Sequence, residues 1–328
     1  MALTETAEDE LPSEAPRRAM LALSAATRLL VVAPHPDDET IATGLLIQQV
    51  LAVGGEVCIL LLTAGDNNPW PQRWLERRWR IGAAERARWG RRRYAELLEA
   101  LQCLGVPRQA LQSMDWPDMG VTDRLMRHGE QSLEAIASVI ERFKPSLVAM
   151  PSIDDSHPDH GAAHVLVRLA LTGRGEPPQQ LGYLIHGSAG RVGHIEVHGS
   201  PAQRVRKVAA LQAHRTQVAL GGRRMRRLAS GAECYAPLPS TEANPVQPDL
   251  CLPWRPPVWL RSWLRLSVAS RHGMRSWRWG AAPLRRDDGG AYRLVDPAGE
   301  AADGLRFVKL TSGLPRFWIF DHWGWRKA

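Results

Sequence analysis

The chain has 328 residues, 44% of them hydrophobic, and a formal net charge of +8. That length suits one large α/β domain with an appendage better than a string of small modules, so a single active site is expected. Cys58, Cys103, Cys234 and Cys251 are scattered with no C-x-x-C pair, which argues against a disulfide scaffold and a cysteine zinc site and fits a reducing cytoplasm.

Residues 1–20 are acidic and lack the apolar run of a secretion signal, so 1–25 read as a disordered tail. No run of about eighteen uncharged apolar residues occurs, which excludes a spanning helix. RLLVVA (28–33), stopped by Pro34, reads as a strand buried on both faces, followed by a helix through TIATGLLIQQVLAV to Gly54 and Gly55. EVCILLLTAG (56–65) reads as a second buried strand. From about Ile81 to Leu104 the pattern is helical, with Tyr94, Leu97, Leu98, Leu101 and Leu104 on one face and arginines opposite, until Gly105 and Pro107 stop it. A weaker strand over Leu111–Asp115, a helix over SLEAIASVIERF and a strand over SLVAMPS follow. After the loop DDSHPDH come a helix, GAAHVLVRLAL, and a strand, LGYLIHG.

Strands alternating with helices imply a Rossmann-like, mostly parallel sheet with helices on both faces, where ligands collect at the carboxyl ends of the strands. This α/β domain spans 26–230. Beyond it, 231–328 are rich in proline and tryptophan and read as an irregular extension. Within it, VWLRSWLRL (258–266) has Trp259, Trp263 and Leu266 on one helical face and Arg261 and Arg265 on the other. Such a helix docks on the main domain or lies on an anionic membrane. Arginines gathered between Arg73 and Arg93 and between Arg204 and Arg227 form either solvated helix faces or a surface for anionic partners.

APHPDDE (33–39) sets a histidine and two adjacent carboxylates at the end of a buried strand, where polar groups are costly unless compensated. A divalent metal supplies compensation, since imidazole nitrogen and carboxylate oxygen are ordinary zinc ligands. Adjacent aspartates point apart, so His35 and Asp38 are expected as ligands and Asp37 as a base facing a coordinated water. SHPDHGAAH (156–164) follows another buried strand and can reach the same cleft edge. His160 then completes two histidines and one carboxylate, leaving a position open, as catalytic zinc requires. Taken alone, the first motif could be a capped loop and the second a helix N-cap with surface histidines; their shared placement after buried strands favours a joint site.

With those motifs the chain resembles the LmbE-like/PIG-L family of N-acetylglucosaminyl deacetylases. TAGD (63–66), the R-x-x-E segment in RYAELLEALQCLGV from Arg93, WPD (116–118) and KVAALQAHRTQ (207–217) extend the resemblance over about residues 28–217. It implies the LmbE-like fold, one Zn2+ per chain or another divalent transition metal on His35, Asp38 and His160, and Asp37 as general base. It also implies an electrophilic or acid role for His157, oriented by Asp159, and substrate contacts from Arg93 and Asp118. His214 falls in the late family segment, either lining the substrate side or bracing its helix. His164, His186, His194 and His198 receive no role.

The activity so implied is hydrolysis of the acetamide of an N-acetylated sugar or its conjugate by a cytoplasmic enzyme, with peripheral membrane contact an open alternative. Either Asp37 or His157 then protonates the leaving amine. A metal-dependent hydrolase of another amide or ester would keep the same residues. A nucleic-acid or membrane adaptor with a degenerate site is disfavoured, because no ligand or base is missing from the motifs.

Overall fold

A computed structural model describes residues 21–187, 195–239, 249–295, 305–313 and 323–327. The first twenty residues of the expected tail, His194 and Trp318 lie outside them. The main domain runs β1 (Arg28–Ala33), α1 (Asp38–Ala52), β2 (Glu56–Thr63), α2 (Pro69–Glu76), α3 (Ala83–Leu104), β3 (Leu111–Trp116), α4 (Val121–Arg127), α5 (Gly129–Phe143), β4 (Leu147–Pro151), α6 (Pro158–Leu171), β5 (Gln179–Tyr183), β6 (Ile195–Val197), α7 (Pro201–Ala213), α8 (Arg215–Ser230) and β7 (Glu233–Leu238). Beyond these come β8 (Asp249–Cys251), β9 (Leu264–Ser270), β10 (Gly273–Arg278), β11 (Leu284–Arg286), β12 (Tyr292–Val295), β13 (Arg306–Ser312) and β14 (Arg326–Lys327).

The main sheet has the order β3-β2-β1-β4-β5-β7-β6. Its first five strands are parallel, and β7 and β6 join antiparallel at one edge. The alternation of β1 shows why both faces are covered. Leu29, Val31 and Ala33 pack with residues of α1, α3 and α7, whereas Leu30 and Val32 pack with α4, α5 and α6. Because β1 pairs with β2 on one side and β4 on the other, the order reverses between β1 and β4. Their carboxyl ends open the crevice in which doubly wound sheets hold ligands, and both histidine motifs begin there.

The C-terminal region differs from its irregular expectation. Its described residues form a sheet of order β10-β9-β13-β14 and another of order β11-β12-β8. The expected helix over 258–266 is a short 3-10 segment, Val258–Trp263, followed by β9. Buried Leu264 and Leu266 alternate with exposed Arg265 and pair with Ser312 and Leu310 of β13, so period-two burial prevails over the helical spacing of the tryptophans. From the same region, Trp325 is fully buried and lies over Gly161 of α6, where an added Cβ would come within 3.3 Å of its ring. Phe307 meets His164 edge-on. No described helix is long and apolar enough to cross a membrane.

A buried ion pair ties the other helical layer to β7. Lys207 Nζ donates to Glu233 Oε1 at 2.6 Å and to the Ile41 carbonyl at 2.9 Å. Glu233 also accepts from the amides of Leu45 and Leu46 in α1, while the Tyr235 hydroxyl donates to Ala42 O. Removing one partner leaves a charge buried without compensation, a loss of about 3–5 kcal/mol. Glu233→Ala should lower unfolding free energy by that amount in denaturant titration; an unchanged midpoint would show that the pair does not hold α1.

Candidate active site and metal centre

The loop after β1 is held in an unusual backbone shape. Asp37 has φ 120°, in the region that disfavours side chains, and persists because its surroundings fix it. Its amide donates to Glu39 Oε2 at 3.0 Å. Arg93, buried in α3, donates through Nη2 to Pro36 O at 2.6 Å and through Nη1 to Gly65 O at 2.5 Å, and Nη2 reaches Asp37 Oδ2 at 3.4 Å. Gly65 has φ +61°, and a Cβ there would collide with that guanidinium, so TAGD needs its glycine. His214 is buried behind the loop, with Nε2 3.1 Å from Glu39 Oε1 and 3.3 Å from Thr40 Oγ1. Arg93 and His214 therefore contact the motif itself.

Asp38 is the meeting point of the two motifs. Its Oδ2 accepts from the His35 amide at 2.9 Å and lies 3.3 Å from His35 Nδ1 and 3.2 Å from His160 Nε2. His160 Nε2 is buried and has no hydrogen-bond partner of acceptable geometry. The carboxylate and imidazole form an ion pair as they stand, and their separation also suits two atoms gripping one cation. Tetrahedral zinc with bonds near 2.0–2.1 Å separates its ligand atoms by about 3.4 Å, and these spacings match. The described residues contain three overlapping groups of potential ligand atoms: His35, His157 and His160; Asp38, His160 and His186; and His35, Asp118 and Asp159.

His157 is the N-cap residue of α6 and accepts from the Asp159 amide through Nδ1 at 3.3 Å, which leaves the ring proton on Nε2. The Asp159 carboxylate accepts from the amides of Met119 and Val121 and lies 3.3 Å from His35 Nε2. Asp118, in the turn after β3, accepts from the Asn67 amide and lies 3.3 Å from the same His35 nitrogen. The two carboxylates thus flank the back of His35.

Sequence reasoning passed over two residues here. Asp155 is buried between β4 and α6. Its Oδ1 accepts from the His157 amide, and its Oδ2 lies 3.0 Å from His160 Nδ1 while accepting from the amides of Ile185 and His186. A carboxylate behind a ligating histidine fixes the ring and leaves the other nitrogen free to coordinate. The apolar pattern of LGYLIHG places His186 in a strand, but β5 ends at Tyr183 opposite Pro151, and the chain beyond it enters the cleft. Its ring centroid lies 5.0 Å from that of His160 and 5.3 Å from that of His157. The signal available for both was the one that found the motifs: polar residues just past a buried strand.

Electrostatics separate the roles. Burial pushes the Asp37 carboxyl up to about 6, with Arg93 partly opposing it. Burial alone would raise Asp38 too, but His160 and His35 hold it well below the usual range. His160 is lowered by burial, yet Asp155 and Asp38 outweigh that and raise it to about 10. Burial and then the neighbouring histidines push His157 far down, so its imidazole is neutral.

Residues 30–171 match a protein family described as PIG-L: GlcNAc-PI de-N-acetylase. They form a PIG-L family domain. A 1D-myo-inositol 2-acetamido-2-deoxy-alpha-D-glucopyranoside deacetylase of Mycolicibacterium gilvum is 32% identical over 157 residues, covering 44% of this chain and 54% of its own. A protein of the same name from Mycolicibacterium vanbaalenii is 27% identical over 239 residues, covering 59% and 81%. The chain spans about half the length of the first curated relatives it matches. An N,N'-diacetylchitobiose deacetylase from Pyrococcus horikoshii superposes with a TM-score of 0.51 at 17% identity, over 65% of this chain and 84% of that one, which shows a shared fold. Both histidine motifs lie inside the PIG-L match.

If Asp155 orients His160 in this PIG-L domain, Asp155→Asn should weaken divalent-metal affinity by about 10–100-fold. Competition with a chromogenic chelator measures this. Wild-type affinity in the variant would remove that role.

Proposed function

We propose that this chain is a zinc-dependent amidohydrolase that removes the acetyl group from an N-acetylglucosaminyl conjugate. The observation that carries the reading is the 3.2 Å approach of Asp38 Oδ2 to His160 Nε2, from motifs far apart in sequence, with Asp37 beside them. The PIG-L match and the names of the relatives support the reaction class and the sugar.

His35, Asp38 and His160 would hold one Zn2+, the two histidines by ring nitrogens and Asp38 by its carboxylate. When bound, the ion supplies Lewis acidity and lowers the pKa of a coordinated water toward about 7. Asp37, beside that site, would take a proton from the attacking water as its oxygen bonds to the amide carbonyl carbon. His157, neutral and carrying its proton on Nε2, donates a hydrogen bond to the developing oxyanion. The carbon–nitrogen bond then breaks, acetate forms, and the proton held by Asp37 passes to the leaving amine. Asp159 and Asp118 hold His35 from behind, while Arg93 and His214 keep the Asp37 loop in its strained shape rather than binding the sugar.

Asp37→Asn should retain stoichiometric zinc and lose about two to four orders of magnitude in acetate release, since asparagine cannot accept the proton. His160→Ala should lose the metal itself. Metal analysis paired with acetate release from N-acetylglucosaminyl-inositol and from simple esters checks both; turnover of the esters alone would remove the sugar assignment.

A base works only when deprotonated, and Asp37 is pushed up to about 6. A cation beside it draws that value down, so kcat/KM should fall on the acid side with a midpoint at or below about pH 6. That limb should be absent from the residual activity of Asp37→Asn. An unchanged limb in the variant would assign it to another group.

A further inference from the structure

α2 and the turn after it leave large aromatic side chains in solvent. Trp70 is 69% exposed, Trp74 68% and Trp79 88%, with Leu75 exposed beside them. Burying an indole is strongly favourable, so a cluster left outside a folded protein marks a contact surface. The cluster is not loose. Gln72, on the opposite side of α2, is fully buried and donates to Glu85 O at 2.8 Å, and Glu76 pairs with Arg88 at 2.6 Å. Exposed Arg77, Arg78 and Arg80 surround Trp79, and Arg73 stacks on Trp70. Among the described residues neither Arg77 nor Arg80 has an ion pair.

This knuckle adjoins the site. Asn67, two residues before α2, donates its amide to Asp118, which flanks His35. We propose that the Trp70–Trp74–Trp79 knuckle docks the enzyme on a bilayer rich in anionic phospholipid, beside the mouth of the metal site. Indoles settle at the bilayer interface, and arginines around them are drawn to the negative surface. The same arginines oppose a second copy of this face, because like charges would meet. Neutral glycans give them no partner. Trp79 stands out from the surface, whereas binders of single-stranded nucleic acid track the strand in a charged groove. The proposal does not depend on the hydrolase reading, because docking is measured without substrate.

Co-sedimentation of the full chain with vesicles of phosphatidylcholine, alone or mixed equally with phosphatidylglycerol, tests it. Wild type should bind the anionic vesicles at least about tenfold more tightly, and added salt should weaken binding. Trp70→Ser/Trp74→Ser/Trp79→Ser and Arg77→Glu/Arg80→Glu should each lose about tenfold or more. Both sets of substitutions are on the surface, and retained metal binding verifies folding. Trp259→Ser/Trp263→Ser, which alters the other exposed pair, should bind as wild type. Equal binding to both vesicle types would overturn the proposal. So would wild-type binding by the triple variant, or a loss of self-association or of oligonucleotide binding in that variant with vesicle binding unchanged.

Discussion

A carboxylate held out of water between two imidazoles is the constraint around which the cleft is arranged. Taking such a charge into the interior costs several kcal/mol unless good partners surround it. Asp38 has the amide of its own loop on one side and the rings of His35 and His160 on the other. That convergence requires β1 and β4 to be neighbours, which the parallel pairing of Leu29–Val31 with Leu147–Ala149 provides.

Each motif is then braced separately. Arg93, Glu39 and His214 fix the loop after β1 from the helical layer of α1, α3 and α7. Asp155 fixes the start of α6, and by accepting from the Ile185 and His186 amides it also draws the end of β5 into the cleft. The C-terminal sheet adds Trp325 against α6, so a region outside the PIG-L match packs on the helix that presents His160. One buried network therefore links parts of the chain that differ in character.

The parallel sheet was legible because strands covered on both faces appear as unbroken apolar runs, RLLVVA and LVAMP among them. The histidine motifs were legible because they interrupt such runs at once. His186 was not, since its place depends on where β5 ends, and that is set by pairing with β4 rather than by local pattern. Asp155 was hidden in a loop already crowded with acidic residues, and its burial against His157, His160, Ile185 and His186 distinguishes it from exposed Asp154, which pairs with Arg326. At 258–266 the i, i+4 spacing of Trp259 and Trp263 imitated a helix while Leu264 and Leu266 were alternating toward β13. Short segments of this kind satisfy both periods, and the partner strand decides.

The torsion at Asp37 has a consequence for how such a site can change. Glycine is the residue most at ease at φ 120°, so the chain would relax if the acid were replaced by one. Thermodynamic comfort and chemistry pull this position in opposite directions. With Asp37 as the proposed base, selection for heat resistance alone would favour a quieter, inert descendant, and demand for turnover would keep the aspartate in place.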